Sequence, residues 1–139
     1  MAGFQKRIIS ILLILSFCCS GSAVTLSVED EAARDVALQW LRVVDSGNYE
    51  DAAAQMSQET RILQNWSNYF AAHRAQLGRV NNRKIAAVKH ASTIPSDPEM
   101  RQHNSIRFKT LFEHKPAAVE EIVLTKMSFC WEVFEYKVE

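Results

Sequence analysis

The carboxylate best placed for acid–base chemistry is that of Glu121. It lies in a stretch of strand-forming residues and shares the two-residue phase of Val119 and Val123, which predicts a side chain turned towards the core. A buried carboxylate needs a partner or has a raised pKa, the property that general acids and bases use. A water-facing position at a hairpin end is the alternative. The sequence assigns no catalytic residue and leaves Glu121 as the candidate to examine.

The histidine and cysteine positions do not predict a metal site. His73, His90, His103 and His114 show no His-x-His, His-x-x-x-His or Glu-x-x-His spacing. His73 falls on the apolar stripe of a predicted helix and is predicted to be a core residue. Cys130 is predicted to be a buried, inert thiol, with an intermolecular disulfide as the alternative. Nothing in the spacing supports a thiol–imidazole pair of Cys130 with His114 or His90.

Three arginines lie close together in the sequence. Arg74, Arg79 and Arg83 surround the end of a predicted helix that Gly78 closes. An anion site is one interpretation. The C-terminal end of a helix carries partial negative charge, however, so it favours cations and disfavours anions. We therefore predict a structural role, in which Arg74 pairs with Asp45 and fixes the first helix against the third.

Aromatic residues are the candidates for a ligand pocket. If helices close a curved sheet, an incompletely filled core becomes an apolar pocket with a few polar groups. Ordinary core packing is the alternative, and a small domain without disulfides favours it because such a domain needs aromatic burial. The candidate pocket residues are Trp40, Tyr49, Trp66, Phe70, Phe112 and Trp131.

Helices are predicted in the first half of the chain. Ser27 is placed as an N-cap with Asp30 three residues on, and apolar residues recur at helical spacing as far as Asp45. A short helix is predicted over residues 49–56. A third helix, capped by Ser57, is predicted to run to residue 77.

Strands are predicted in the second half. They cover about Arg83–Ala91, Asn104–Phe112, Ala118–Met127 and Phe129–Val138, with a proline-rich turn at Ile94–Pro98. The second strand alternates and places Asn104, Ile106, Phe108, Thr110 and Phe112 on one face. A slip of the apolar phase between Val133 and Phe134 predicts a bulge. Helices followed by hairpin-connected strands indicate an α+β fold, with about three helices on a four-stranded antiparallel sheet.

Residues 1–23 have the features of an export signal. Lys6 and Arg7 form a basic segment, residues 8–17 are mostly apolar, and small residues precede a predicted cut between Ala23 and Val24. The apolar run is too short for a membrane-spanning helix. We predict a periplasmic or secreted protein without a stable membrane anchor, made of a signal peptide and a single domain over residues 24–139.

Cys18 and Cys19 raise the possibility of lipidation. Phe17 precedes the first of them, whereas lipoprotein processing generally needs a small residue before the cysteine. Cleavage after Ala23 is therefore favoured over a lipoprotein, and it leaves Cys130 as the single remaining thiol.

The charge of the chain argues against nucleic acid as a partner. Sixteen basic and 16 acidic residues balance over the whole sequence. Without Lys6 and Arg7, the remaining 14 basic and 16 acidic residues give a net charge of −2. A basic stripe of the kind that follows a phosphate backbone is missing from the sequence.

Several motifs resemble a bacterial family known as domain of unknown function 4019. They are Trp40-Leu41, Asp45-Ser46-Gly47-Asn48-Tyr49, Trp66, Arg74 to Gly78, Arg83, and Trp131 through Tyr136. The sequence departs from the family pattern at Ala52-Ala53-Ala54, Phe129-Cys130 and Glu135. The resemblance implies an exported or membrane-associated domain with a nuclear-transport-factor-like (NTF2-like) or cystatin-like cone shape. It implies no activity.

The missing catalytic set favours a non-enzymatic exported binding module for a small apolar ligand or an envelope protein. A pocket enzyme of the hydrolase or isomerase type, using a buried carboxylate such as Glu121, is the first alternative. A structural protein that forms homodimers through a sheet face or edge is the second. No cofactor is predicted.

Overall fold

The computed structural model describes residues 24–91 and 101–139, which form four α-helices followed by a four-stranded sheet. The helices are α1 Val28–Asp45, α2 Tyr49–Ala54, α3 Gln58–Leu63 and α4 Trp66–His73, and a 3₁₀ turn follows at Ala75–Leu77. The strands are β1 Val80–Ala91, β2 His103–Phe112, β3 Ala118–Lys126 and β4 Trp131–Val138. The predicted signal segment up to Ala23, including Cys18 and Cys19, and the predicted Ile94–Pro98 turn lie outside the described residues.

Helix α1 begins at the predicted cap. The Ser27 hydroxyl accepts a hydrogen bond from the Asp30 amide at 3.1 Å, and the Asp30 carboxylate accepts one from the Ser27 amide at 3.3 Å. Residues at helical spacing on α1 face the sheet, and the buried apolar ones are Ala33, Ala37, Trp40, Leu41 and Val44. Within residues 24–91 and 101–139, no helix is long and apolar enough to cross a membrane.

The predicted third helix is two helices. It is interrupted at Asn65, whose side chain accepts a hydrogen bond from the Asn68 amide at 3.1 Å and so caps α4. Ile62 and Leu63 are exposed at the end of α3. Counting helices from periodicity alone was wrong here because an asparagine cap can restart a helix inside an apolar repeat.

The sheet is antiparallel with strand order β1-β2-β3-β4. The five alternate residues predicted on one face of β2 are all buried, so both the α+β class and the phase of this strand are confirmed. The helices cover that inner face. The opposite, outer face is open to solvent along much of β2 and β3, where half-exposed and exposed residues alternate with buried ones, whereas His103 and Thr125 at one end of that face are buried.

A bulge interrupts β4 at the predicted place. Val123 pairs with Glu135, whereas the next residue, Leu124, pairs with Val133, so Phe134 is the extra residue. Val133 and Phe134 are consequently both buried. The bulge lets one strand bury two consecutive side chains, and the Phe134 ring lies against His103, with centroids 5.4 Å apart.

Rings from the helices and the sheet interlock in the core. The Trp40 ring lies edge-on to Phe70 and to Tyr136, with centroids 5.6 and 5.5 Å apart. The Trp40 indole N–H donates to the Ala52 carbonyl at 2.8 Å. The burial of this large residue therefore leaves no unsatisfied polar atom on its ring.

Candidate functional site

The six aromatic pocket candidates belong to the core and its rim. Phe70 is enclosed by rings from α1, α2 and α4, with centroids at 5.6–6.0 Å. Trp40 and Trp131 border a surface cleft of about 280 Å³, and Trp66 borders another of about 500 Å³. Phe112 lies apart from them, beneath a guanidinium. The geometry is that of core packing, and contact of these residues with a ligand stays a prediction.

The carboxylate buried in β3 is Glu120, and the predicted burial of Glu121 is wrong. Glu121 lies on the outer face, where its carboxylate accepts from the Ser105 hydroxyl at 2.5 Å and from Arg107 at 3.5 Å. Partial burial alone would raise the pKa of Glu121, but these hydrogen bonds outweigh it and hold that pKa below its ordinary value. The predicted inward phase of Glu121 depends on Val119 and Val123, and these two residues also point outward.

Glu120 is completely buried and fully hydrogen-bonded. Its Oε2 atom accepts from Arg83 Nε at 2.7 Å and from the Thr110 hydroxyl at 2.5 Å. Its Oε1 atom accepts from Arg83 Nη2 at 3.1 Å and from the Tyr136 hydroxyl at 2.8 Å. Each carboxylate oxygen therefore has two donors, which is what a charge excluded from water requires.

A second carboxylate, that of Asp45, joins the two arginines. Arg83 donates to its Oδ2 at 2.7 Å and to its Oδ1 at 3.0 Å, and Arg74 Nη2 donates to Oδ1 at 3.0 Å. The Arg74–Asp45 pair predicted from the sequence is confirmed. Arg74 also donates to the Gly78 carbonyl at 2.8 Å and lies 4.5 Å from the centre of the Phe112 ring.

These side chains form one ionic network of two arginines and two carboxylates. Burial alone would lower the pKa of the Arg83 guanidinium, but its hydrogen bonds to Asp45 and Glu120 outweigh this and raise that pKa above its ordinary value. Burial and the adjacent Glu120 charge raise the pKa of the Tyr136 hydroxyl well above its ordinary value. The network therefore clamps α1 and the end of α4 to the sheet.

Arg79 does not join Arg74 and Arg83, so the three arginines do not converge. It is exposed and pairs with Glu113 at 3.5 Å. Gly78 lies between Arg74 and Arg79 in the chain and has a positive φ of 75°. A Cβ added there would lie 2.8 Å from the His114 ring. Only glycine fits this close crossing without a shift of its neighbours.

His73 is exposed and lies against the Tyr69 ring, with centroids 4.5 Å apart. Its predicted core position is wrong because the helix turns the next residue, Arg74, inward instead. Cys130 is also exposed, so its predicted burial is wrong, and no hydrogen bond joins it to the histidines considered for a thiol–imidazole pair. It occupies the turn between β3 and β4, beside the fully exposed Phe129.

His90 belongs to a second polar cluster, which joins the start of α1 to the sheet. Its Nε2 lies 3.0 Å from Asp30 Oδ1, and its Nδ1 lies 2.9 Å from Asn104 Oδ1. The side-chain amide of Asn104 donates to the same Asp30 oxygen at 3.1 Å. Across residues 24–91 and 101–139, no three His, Cys, Asp or Glu side chains are grouped as metal ligands would be.

The outer face of the sheet carries a groove of about 450 Å³. Across β1, β2 and β3, Lys84 pairs with Lys109, which pairs with Val119. Leu111 lies in the next row, and exposed fractions of 39% for Leu111 and 37% for Val119 leave apolar surface open to solvent. The residues that line this outer groove are Asn82, Lys84, Lys109, Thr110, Leu111, Pro116, Ala117, Ala118 and Val119.

Sequence reasoning missed both Glu120 and the outer groove. A signal for Glu120 was available, because Ala118, Ile122 and Leu124 share its phase and indicate an inner face. The groove had a weaker signal. Lysines sharing a strand face with leucine and valine also fit an ordinary solvated surface.

The comparisons with known proteins concern the family. The family model described as Protein of unknown function (DUF4019) matches residues 36–136. No curated protein matches the chain significantly. The matched range includes Asp45, Arg74, Arg83, Glu120 and Tyr136, so the ionic network lies entirely within it. The chain therefore belongs to the DUF4019 family.

Proposed function

We propose that the protein is an exported, non-enzymatic binding module that takes a small ligand in the outer groove of its sheet. The basic, apolar and small residues of positions 1–23 support export. The outer groove supports binding, because it combines exposed apolar side chains with cationic ones in a concave space of the size of small-molecule sites.

The observation that carries the proposal is the contrast between the two faces of the sheet. On the inner face, Glu120 and Asp45 have their charges matched by Arg83 and Arg74, and the core rings contact one another. On the outer face, Lys84 and Lys109 form no ion pair with any described residue. A ligand would therefore find charged groups without a counterion among the described residues on the outer face.

The test is a backbone-amide NMR titration of the protein with a set of small amphiphiles that carry neutral, anionic or cationic heads. We expect at least one probe to shift the amide resonances of Leu111 and Val119 in a saturable manner. Ala117→Trp should abolish those shifts, because its indole would fill the groove. Ala54→Trp is the matched control, since Ala54 is also exposed and borders a different cleft.

Three results would contradict the proposal. In the first, no probe gives saturable shifts. In the second, the shifts are confined to the cleft that Trp40 and Trp131 border. In the third, Ala117→Trp leaves binding unchanged. Sedimentation equilibrium supplies an independent check. A dimer that buries Val119 would replace this proposal with the homodimer alternative.

A further inference from the structure

We infer that the ligand of the outer groove is a small amphiphile, with an anionic head held between Lys84 and Lys109 and an apolar tail against Leu111 and Val119. This inference rests on the proposed function and names the class of ligand. Its first support is the sheet register. Lys84 and Lys109 are directly opposed across the β1–β2 ladder, so two ammonium-bearing side chains leave the sheet side by side.

Within residues 24–91 and 101–139, neither lysine of this pair forms an ion pair. Like charges directly opposite each other on a sheet destabilise it, and both lysines are exposed. Two carboxylate-bearing residues lie near on the outer face by register. Glu121 is diagonal to Lys109 and is hydrogen-bonded by Ser105 and Arg107, and Glu139 lies beyond Val119, with which it exchanges two backbone hydrogen bonds. An anion at the lysine pair would therefore relieve a repulsion that the folded chain leaves in place.

The apolar part of the ligand is inferred from the other wall. Leu111 lies one row beyond the lysines, Val119 lies beside Lys109, and the β2–β3 connection contributes Pro116 and Ala117. The lysines thus lie on β1 and β2 and the apolar residues on β2, β3 and their connection, with Lys109 next to both groups. A head at one end and a hydrocarbon tail at the other match this order, whereas a fully polar anion would leave the apolar wall uncovered.

The decisive comparison uses four probes of one chain length: octanoate, octyl sulfate, octanol and octylammonium. We expect saturable binding of the two anions, with octanol about tenfold weaker or more, as expected when a charge-assisted contact is lost. Octylammonium should be the weakest of the four. The two anions distinguish a carboxylate from a sulfate head by their relative dissociation constants.

The matched variants are Lys84→Gln and Lys109→Gln, with Lys89→Gln as control. Lys89 also lies on β1, is exposed and faces Ser105, but it does not line the groove. Each groove variant should weaken octanoate binding about tenfold and leave octanol binding unchanged. Each should also leave the melting temperature the same or higher, because removal of one lysine ends the repulsion. If the lysines only kept the protein soluble, substituting them would not weaken octanoate binding while leaving octanol binding unchanged.

The inference fails if octanol binds as tightly as octanoate, or if the lysine variants bind octanoate like the unsubstituted protein. In both cases the shifts at Leu111 and Val119 would remain, so the proposed function would stand without this ligand class. If none of the four probes, nor any other in the wider set, shifts those resonances, the proposed function fails as well. An acidic peptide that binds the groove when octanoate does not would also overturn the inference.

Discussion

The guanidinium of Arg83 makes two hydrogen bonds to the carboxylate of Glu120, at 2.7 and 3.1 Å, inside a protein core. Arg83 comes from the first strand and Glu120 from the third, with β2 between them. These two hydrogen bonds therefore span β2 on the inner face of the sheet. Removal of either partner would leave a charge buried without its counterion.

Arg83→Met should lower the free energy of unfolding by about 3–5 kcal/mol, because Glu120 would remain buried and unpaired. Urea denaturation of the two proteins measures the change. Arg79→Met is the control, since Arg79 is exposed and its surface pair with Glu113 should contribute little to the stability. The double variant Arg83→Met/Glu120→Leu should recover part of the loss. Equal losses for the two arginine variants would contradict a role for the network.

Arg74 and Asp45 should be energetically coupled. Arg74→Ala removes a buried cation that contacts Asp45, the Gly78 carbonyl and Phe112, so we expect the melting temperature to fall. In a double-mutant cycle with Asp45→Ala, the two losses should be non-additive by roughly 0.5–3 kcal/mol. An unchanged melting temperature for Arg74→Ala would show that the clamp carries no stability.

Asp30 should make the protein less stable in acid. Burial raises the pKa of Asp30, but hydrogen bonds from Ser27 and the nearby His90 outweigh it and hold that pKa below its ordinary value of 3.8. A lowered folded-state pKa means that this contribution is complete above the unfolded-state pKa and is lost as the pH falls below it.

The measurement for Asp30 is the free energy of unfolding at several pH values, compared between the unsubstituted protein and Asp30→Asn. We expect the difference between the two proteins to shrink as the pH falls below about 4. The comparison removes the contributions of Glu113 and Glu121, whose pKa values are also lowered. A difference that stays constant into acid would contradict the assignment.

Gly78 and Gly47 should respond unequally to alanine. Both have positive φ, 75° and 80°, so both variants carry backbone strain of about 1 kcal/mol. A Cβ on Gly78 would also meet His114 and Glu113 at 2.8–2.9 Å, whereas nothing lies within 4 Å of one on Gly47. Gly78→Ala should therefore lower the melting temperature more than Gly47→Ala. The reverse order would show that the chain at Gly78 is not tightly packed against Glu113 and His114.

The order of elements was predictable because its signals are local. Ser27 with Asp30 marks the start of α1, the alternation in β2 fixes its inner face, and the apolar slip at Phe134 marks the bulge. Each of these patterns depends on residues only a few positions apart. The interruption of the helix at Asn65 is local too, but an asparagine inside an apolar repeat does not by itself indicate an N-cap.

The candidate site was harder to predict because its contacts are distant in sequence. In β3, apolar residues occur in both phases, so the phase that Glu120 shares with Ala118, Ile122 and Leu124 is a weak signal, and its partners are what make its burial favourable. Those partners of Glu120 lie 37, 10 and 16 residues away, at Arg83, Thr110 and Tyr136. Periodicity within one strand carries no information about them.

The hydroxyl of Tyr136 gives β4 a part in the folding cooperativity of the chain. Glu120 obtains its full set of donors only when this last strand has joined the sheet, since Arg83 and Thr110 come from β1 and β2. A partly assembled sheet would hold an under-solvated anion, which disfavours stable intermediates. We expect all-or-none unfolding, seen as coincident far- and near-ultraviolet circular dichroism transitions. Separate transitions would show that the first three strands form without the fourth.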